Sequence, residues 1–259
     1  MDLHLRGKRA LVTGGSKGIG LACASMLAEE GCDLVLVARD AAALEAAARA
    51  QAAHGVDVRT IPADLSRPED LAQVAAEAGP IDILVNNAGA IPPGDLLSVG
   101  AGTWRAAWDL KVFGYIDLTR ALYPRLKERG GVVVKVIGSA GDRPEPNYIA
   151  GSTGNAALMA FTRALGARSP RDGVRVVGIN PGPVATDRIE MLLRAKAERT
   201  TGDAERWQEA FRDNAFGRAA KPEEIAAAVA FLASDDASFI TASTFVVDGG
   251  ISGAYVTPL

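Results

Sequence analysis

The 259-residue sequence predicts a doubly wound α/β fold, a parallel sheet of seven strands with helices on both faces in three layers. Three observations predict it. Short β-rich runs alternate with longer helical patterns along the chain. Strict alternation implies a parallel sheet, and right-handed crossovers wind it both ways from its centre. The first strand also runs into a glycine-rich turn that opens a helix, an arrangement suited to holding an anion.

The elements follow in order. Arg9 to Val12 begins the first strand, and "GIGLACASMLAEEG" has helical spacing and stops on Gly31. "DLVLVA" is the second strand, followed by an alanine-rich helix from Ala41 to about Ala53. "VDVRTI" is the third strand, and "RPEDLAQVAAEAG" is a helix with Pro in its first turn and Gly79 at its end. "IDILVN" is the fourth strand, followed by two helical stretches, Thr103 to Lys111 and Gly114 to Arg129. "GVVVKVIGS" is the fifth strand, Ala156 to Ala167 a helix, and "VRVVGIN" the sixth strand. Residues 188 to 213 read as helical and charged, "PEEIAAAVAFLAS" as a last helix, and "STFVVDGG" as the seventh strand. With no linker, repeat or low-complexity segment in the sequence, one domain over 1–259 is expected.

Composition narrows the function. Hydrophobic residues make up 48% of the chain, enough for a sizeable core, and Ala and Gly suit helices packed closely on a sheet. The net charge of −3 and the lack of a basic stripe give no nucleic-acid footprint. Cys23 and Cys32 form no metal or redox motif, and His4 and His54 lie apart, so no metal site is expected. The sequence has no apolar signal segment and no apolar run of the roughly 20 residues that a membrane helix needs. A soluble, cytoplasmic protein acting on a small molecule is the expectation.

"TGGSKGIG", Thr13 to Gly20, carries the first functional signal. Gly14 permits the tight turn, while Gly18 and Gly20 let backbone and helix approach a pyrophosphate, at which the helix N-terminus aims its free N–H groups. The whole turn, Gly14, Ser16, Lys17, Gly18, Ile19 and Gly20, is assigned to a dinucleotide in a Rossmann fold. The second strand ends at Ala38 and Arg39. A carboxylate at that tip would take a free ribose 2′-hydroxyl, whereas Arg39, with Lys17, suits a 2′-phosphate. NADP(H) is therefore favoured over NAD(H).

The turn has the form TGxxxGxG and resembles that of the short-chain dehydrogenase/reductase family. "NNAG" (Asn86 to Gly89) after the fourth strand, "NPGPVAT" (Asn180 to Thr186) after the sixth and "VDGG" (Val247 to Gly250) near the end resemble further motifs of that family, in the right order. The resemblance covers nearly the whole chain. It implies that Asp64 and Leu65 flank the adenine and that Asn87, Ala88 and Gly89 line the ribose. It also implies that Pro181, Gly182, Val184 and Thr186 lie on the nicotinamide side. It further implies reduction of a carbonyl or oxidation of an alcohol, and a homotetramer or homodimer packed through the long helices around the fifth strand. The seventh strand and the tail "ISGAYVTPL" would join a second interface.

The family's catalytic set is a serine, a tyrosine with a lysine four residues later, and an asparagine. Ser139 matches the serine. Aligned on "NAALMAFTRALG", the lysine position holds Asn155 and the tyrosine position Gly151. Tyr148 stands three residues early, a displacement of about 4.5 Å along a helix axis. "LKVFGY" resembles the asparagine segment, with Lys111 at that position. The catalytic candidates are thus Ser139, Tyr148 and Lys111, while Asn155 remains able to hydrogen-bond the ribose. Ser152 or Thr153 is expected to cap a helix start, leaving N–H groups of "GSTGN" open to a carboxylate or oxyanion. Residues 188–216 occupy the substrate-lid position, with Met191, Leu192, Leu193, Trp207, Phe211 and Phe216 either over the substrate or packed on the core. Three functions stand open at this point. They are an oxidoreductase with an atypical proton path, a non-catalytic dinucleotide-binding protein, and a non-redox lyase or hydrolase on the same fold.

Overall fold

A computed structural model describes residues 2–212 and 214–253, without the side chains of 188, 192, 195, 196 and 199. Met1, Asp213 and the tail from Ala254 onward, named above for an interface, lie outside the described residues, as does the Leu192 side chain.

The chain order is β1 (Arg9–Thr13), α1 (Gly18–Glu29), β2 (Asp33–Ala38), α2 (Ala41–Ala52), β3 (Val58–Pro62), α3 (Pro68–Glu77) and β4 (Ile83–Asn86). Then come α4 (Ala101–Trp108), a π-turn (Asp109–Phe113), α5 (Gly114–Arg129), β5 (Val132–Val136), α6 (Ile149–Arg168) and β6 (Arg175–Pro181). After α7 (Asp187–Thr201) and a 3₁₀ segment (Ala204–Phe211), α8 (Pro222–Ala233) and β7 (Thr244–Val247) complete the sheet. Its order is β3-β2-β1-β4-β5-β6-β7, with every pair parallel, as expected. The chain reverses its direction of winding between β1 and β4, which opens a crevice at the carboxyl ends of the strands.

Alternating strand residues feed two cores, because successive side chains leave a strand on opposite faces. Val12, Leu36, Val85 and Val134 meet Leu27 of α1 and Val229 of α8 on one face. Leu11, Val37, Leu84 and Val133 meet Val74 of α3 and Leu118, Leu122 and Leu126 of α5 on the other.

Two helices differ from the sequence expectation. The stretches around Lys111 form one continuous rod, because the π-turn carries α4 into α5 without a break. Gly114, which reads as a separator, serves a close approach there, since a Cβ would stand 3.1 Å from the Leu65 carbonyl oxygen. Helix α6 begins at Ile149, seven residues before the expected Ala156. Its glycines are also contact positions. A Cβ on Gly154 would reach Val112 Cγ2 at 3.1 Å and Trp108 Nε1 at 3.2 Å. Their helix-propensity cost of about 1 kcal/mol each is offset by packing.

Lys135 interrupts the apolar run of β5 and is completely buried. Its Nζ has no hydrogen-bond partner and lies 4.9 Å from the Phe161 ring centroid. In the strand register it faces Asn86, whose Oδ1 is also without a partner. Burial pushes the Lys135 pKa down from 10.5 to about 7. Between those values the unfolded chain holds a proton that the folded chain releases, so this group makes stability rise with pH across the window. Lys135→Met should therefore stabilise the protein below about pH 7, by about 1–4 kcal/mol, and the gain should shrink towards about pH 10. Urea unfolding of both proteins at the two ends of that range checks it. A methionine variant less stable at neutral pH would mean that the amine is held by attraction.

Candidate functional site

Four strand-end turns build the crevice. Thr13, at the end of β1, is fully buried. Its hydroxyl accepts the N–H groups of Asn87 at 2.8 Å and Ala88 at 3.0 Å and donates to the Val85 carbonyl at 3.4 Å. Asn87 Nδ2 donates back to the Thr13 carbonyl at 3.0 Å. These bonds lock the glycine-rich turn to the "NNAG" turn. Gly14 (φ +67°) and Gly18 (φ +56°) take the left-handed region that disfavours a side chain. A Cβ on Gly14 would stand 2.8 Å from Asn87 Nδ2, and one on Gly20 would run into the Gly14 carbonyl. The exposed Lys17 precedes α1 and gives no side-chain cap, and among the described residues no side chain is bonded to the first-turn amides.

Arg39 is 67% exposed, with its guanidinium 3.9 Å from Asp64 Oδ2. Asp40 turns away and caps α2, accepting the Ala43 N–H at 3.0 Å. Asp64 accepts the Ser66 N–H and hydroxyl. Burial raises the Asp64 pKa, but the Ser66 bonds and the charges of Arg39 and Arg67 outweigh it, and the net shift is downward. Leu65 is buried against α5, its side chain in the core and its carbonyl beside Gly114.

On the far side, Gly182 donates to the Val247 carbonyl at 3.1 Å. A Cβ at Gly182 would fall 2.8 Å from Asp248 Cβ, which explains why "NPG" and "VDGG" occur together. Val184 is buried, and Ala185 donates to the Ala220 carbonyl at 2.8 Å. Thr186 caps α7, and its methyl group lies 3.3 Å from the place a Gly18 Cβ would take. The turns after β1 and β6 therefore touch across the crevice.

Ser139, Lys111 and Asn155 come together beyond the end of β5. Ser139 opens a 3₁₀ turn, half-exposed, and its hydroxyl makes no hydrogen bond among the described residues. Lys111, on the π-turn, lies along Gly89 and donates to the Ile137 carbonyl at 2.6 Å. Asn155 is 2% exposed and donates to the Gly138 carbonyl at 3.3 Å, while its Oδ1 is left without a partner. Tyr148 sits just before α6 among Ile91, Val99, Ala107 and Trp104. Its ring leans onto Gly151, where a Cβ would fall on Cε1 and Cζ and 2.6 Å from Cδ1.

The expected anion site at "GSTGN" does not form. Because α6 starts early, the N–H groups of Gly151 and Ser152 both donate to the Tyr148 carbonyl. Ser152 and Thr153 lie inside the helix and cap nothing. The Ser152 hydroxyl accepts the Glu145 N–H, and that of Thr153 donates to the Ile149 carbonyl. Three other residues shape the site without having been singled out. Thr13 lies inside a quoted motif. Trp108 ties α4 to α6 by donating to the Ala150 carbonyl at 2.9 Å. Gly138 adopts φ +137°, which no isolated glycine in a sequence announces. A tyrosine and a lysine four apart do occur on α5, but Tyr123 and Lys127 both bind Asp172, just before β6 at the opposite end of the sheet. Among the described residues no helix is long and apolar enough to cross a membrane, and no cluster of His, Cys, Asp or Glu could hold a metal ion.

Residues 14–252 match a family model described as enoyl-(acyl carrier protein) reductase. A protein named as a short-chain dehydrogenase/reductase family member superposes with a TM-score of 0.85 at 37% identity, over 98% of this chain and all of the other. The chain belongs to the short-chain dehydrogenase/reductase family. It is 36% identical over 256 residues to the galactitol 2-dehydrogenase (L-tagatose-forming) of Cereibacter sphaeroides, covering 95% of this chain and 96% of that one. L-sorbose reductase from Gluconobacter frateurii, crystallised with NADPH and L-sorbose, superposes with a TM-score of 0.92 at 33% identity, over 98% and 100% of the two chains. The present protein is thus a short-chain dehydrogenase/reductase, an oxidoreductase.

In this short-chain dehydrogenase/reductase the glycine cradle tolerates no added atoms. Gly20→Ala should destabilise the chain by about 1–3 kcal/mol through overpacking against Gly14. Chemical unfolding without nucleotide measures this, and a neutral effect would show that the turn relaxes.

Proposed function

We propose that the protein interconverts a carbonyl and an alcohol with NADP(H), Ser139 polarising the substrate oxygen and Tyr148 moving the proton. The observation that carries this reading is the seat of the Tyr148 ring. It fills the space that a side chain on Gly151 would take, and Gly151 is the position aligned with the family's tyrosine. On this reading the family's tyrosine and lysine are replaced, and the ring of a phenol from three residues upstream packs directly on Gly151. Glycine at 151 is then a requirement of the mechanism, since any side chain would displace that ring.

The crevice fits a dinucleotide on its own terms. Glycine at 14 and 20 lets the turn fold tightly against Asn87, and the start of α1 has no side-chain cap, which suits a pyrophosphate against Ser16, Lys17, Gly18 and Ile19. Asn87, Ala88 and Gly89 form the ribose wall, and the orphaned Asn155 Oδ1 suits a ribose hydroxyl donor. Pro181, Gly182, Val184 and Thr186 close the nicotinamide side. Arg39 and Lys17 supply the cations for a 2′-phosphate, and Asp40, committed to α2, does not oppose it. When bound, the nicotinamide supplies or accepts a hydride. The chain's own task is the charge that develops on the substrate oxygen, met by the Ser139 hydroxyl and a proton from Tyr148 Oη.

The remaining organisation follows from the same reading. The chain forms one domain, and residues 188–216 cover the substrate. Met191 and Phe216, largely exposed, are available to meet a substrate, while Phe211 is buried and anchors the segment. The edge strand β7 with exposed Val246, and the fully exposed Phe239, suit contact with a second copy in a cytoplasmic homo-oligomer.

Tyr148→Phe should lower kcat by about 10²–10⁴-fold while NADPH binding, followed by fluorescence, holds. Moving the phenol with Tyr148→Ala plus Gly151→Tyr should restore part of the loss. Unchanged kinetics in the phenylalanine variant would remove Tyr148 as the acid. NADPH binding with no turnover on a carbonyl panel that includes L-sorbose and L-tagatose would favour the non-catalytic reading. Arg39→Ala should weaken NADPH about tenfold or more and leave NADH nearly unaffected. Equal loss for both would place Arg39 away from the 2′-phosphate.

A further inference from the structure

The segment between β5 and Ser139 is held from two sides. Lys111 reaches it from the π-turn, donating to the Ile137 carbonyl, and Asn155 reaches it from α6, donating to the Gly138 carbonyl. The two side chains thus grip successive peptide groups directly before Ser139. The peptide they hold is unusual. Gly138 has φ +137° and ψ 141°, a conformation nearly confined to glycine, and a Cβ there would lie 2.7 Å from Asn155 Nδ2. The Gly138 carbonyl also accepts the Gly141 N–H at 3.3 Å, and the Ser139 carbonyl accepts those of Asp142 and Arg143 at 3.0 Å each. One hydrogen-bonded unit therefore runs from Lys111 and Asn155 through the 3₁₀ turn that carries the Ser139 hydroxyl.

The π-turn makes the first of these contacts possible. An extra residue within a continuous helix changes which side chains face the sheet, and such insertions recur at functional sites. Here the insertion spans Asp109–Phe113, with Lys111 at its middle. It is braced against α6, because Val112 and Trp108 pack where a Gly154 Cβ would be.

We infer that Lys111 and Asn155 are positioning residues, a two-point clamp that fixes the Ile137–Gly138 and Gly138–Ser139 peptides and thereby aims the Ser139 hydroxyl at the substrate oxygen. The clamp itself is a property of the fold, and its effect on turnover rests on the proposed oxidoreductase reading. Lys111 acts through Ser139 and needs no direct contact with the reacting atoms.

Two measurements test this separately. Hydrogen exchange on the protein without ligand reads the clamp. Lys111→Met should speed exchange at the amides of Gly141, Asp142 and Arg143 and leave β1 and β2 unchanged, and Lys111→Arg, which keeps a donor, should restore protection. Asn155→Leu should give the same local signature. Unaltered exchange at those amides in a folded Lys111→Met variant would overturn the clamp. Turnover reads its consequence. Lys111→Met should lower kcat about 10–100-fold with little change in the NADPH KM, as expected for a misaimed catalytic group. In a Ser139→Ala background the same substitution should have almost no further effect. Equal losses in both backgrounds would overturn action through Ser139. If the wild-type protein turns over no carbonyl or alcohol, the proposed function fails and the exchange result still decides the clamp.

Discussion

The hydroxyl of Thr13 holds the parts of the site in register. It bonds the backbone of Asn87, Ala88 and Val85 at once, so the turns leaving β1 and β4 cannot move apart. That matters because a doubly wound sheet diverges between these two strands, and the crevice they open is where function must be built. With the two turns locked, Asn87 Nδ2 comes to lie against Gly14 and Gly20, and the cradle gains its depth from missing side chains. Gly89 of the same turn then offers a flat surface to Lys111. The contacts that place Lys111 thus begin at a buried threonine on another strand.

Much of this was legible in the sequence, for identifiable reasons. Strands buried on both faces read as apolar runs, and the glycine turn, "NNAG", "NPG" and "VDGG" each mark a strand end where backbones must approach. Other features were hidden because one residue type answers to several causes. Gly114, Gly151 and Gly154 look like helix breakers, yet each sits inside or at the start of a helix and clears space for a neighbour. Only the neighbour reveals the difference. The start of α6 was misplaced for that reason, and the anion site expected there disappeared with it.

A π-turn has no sequence signature of its own, so the single rod from α4 to α5 was read as two helices. The buried Lys135 was equally silent, because a lysine in a strand ordinarily marks a solvent face. Its partnerless Nζ lies over the Phe161 ring, and its register neighbour Asn86 also has a partnerless Oδ1. Such a pair lowers stability, since burying polar groups without partners is unfavourable. Its cost is a property of the fold.

The residues around the end of β5 are best understood together. Tyr148 stands just before α6, and glycine at 151 leaves room for its ring. Asn155 lies on α6 and Lys111 on the π-turn. These positions are coupled by packing. Trp108 bonds the Ala150 carbonyl and, with Val112, packs against Gly154, so the rod that carries Lys111 is fixed to the helix that carries Asn155 and Gly151. A change at either element would shift the other. Restoring the family residues one at a time would therefore place each in a frame shaped for the present set. A tyrosine at 151 would meet the Tyr148 ring before it met a substrate. The site is best treated as one packed unit, in which the position of a functional group is set by the space its neighbours leave.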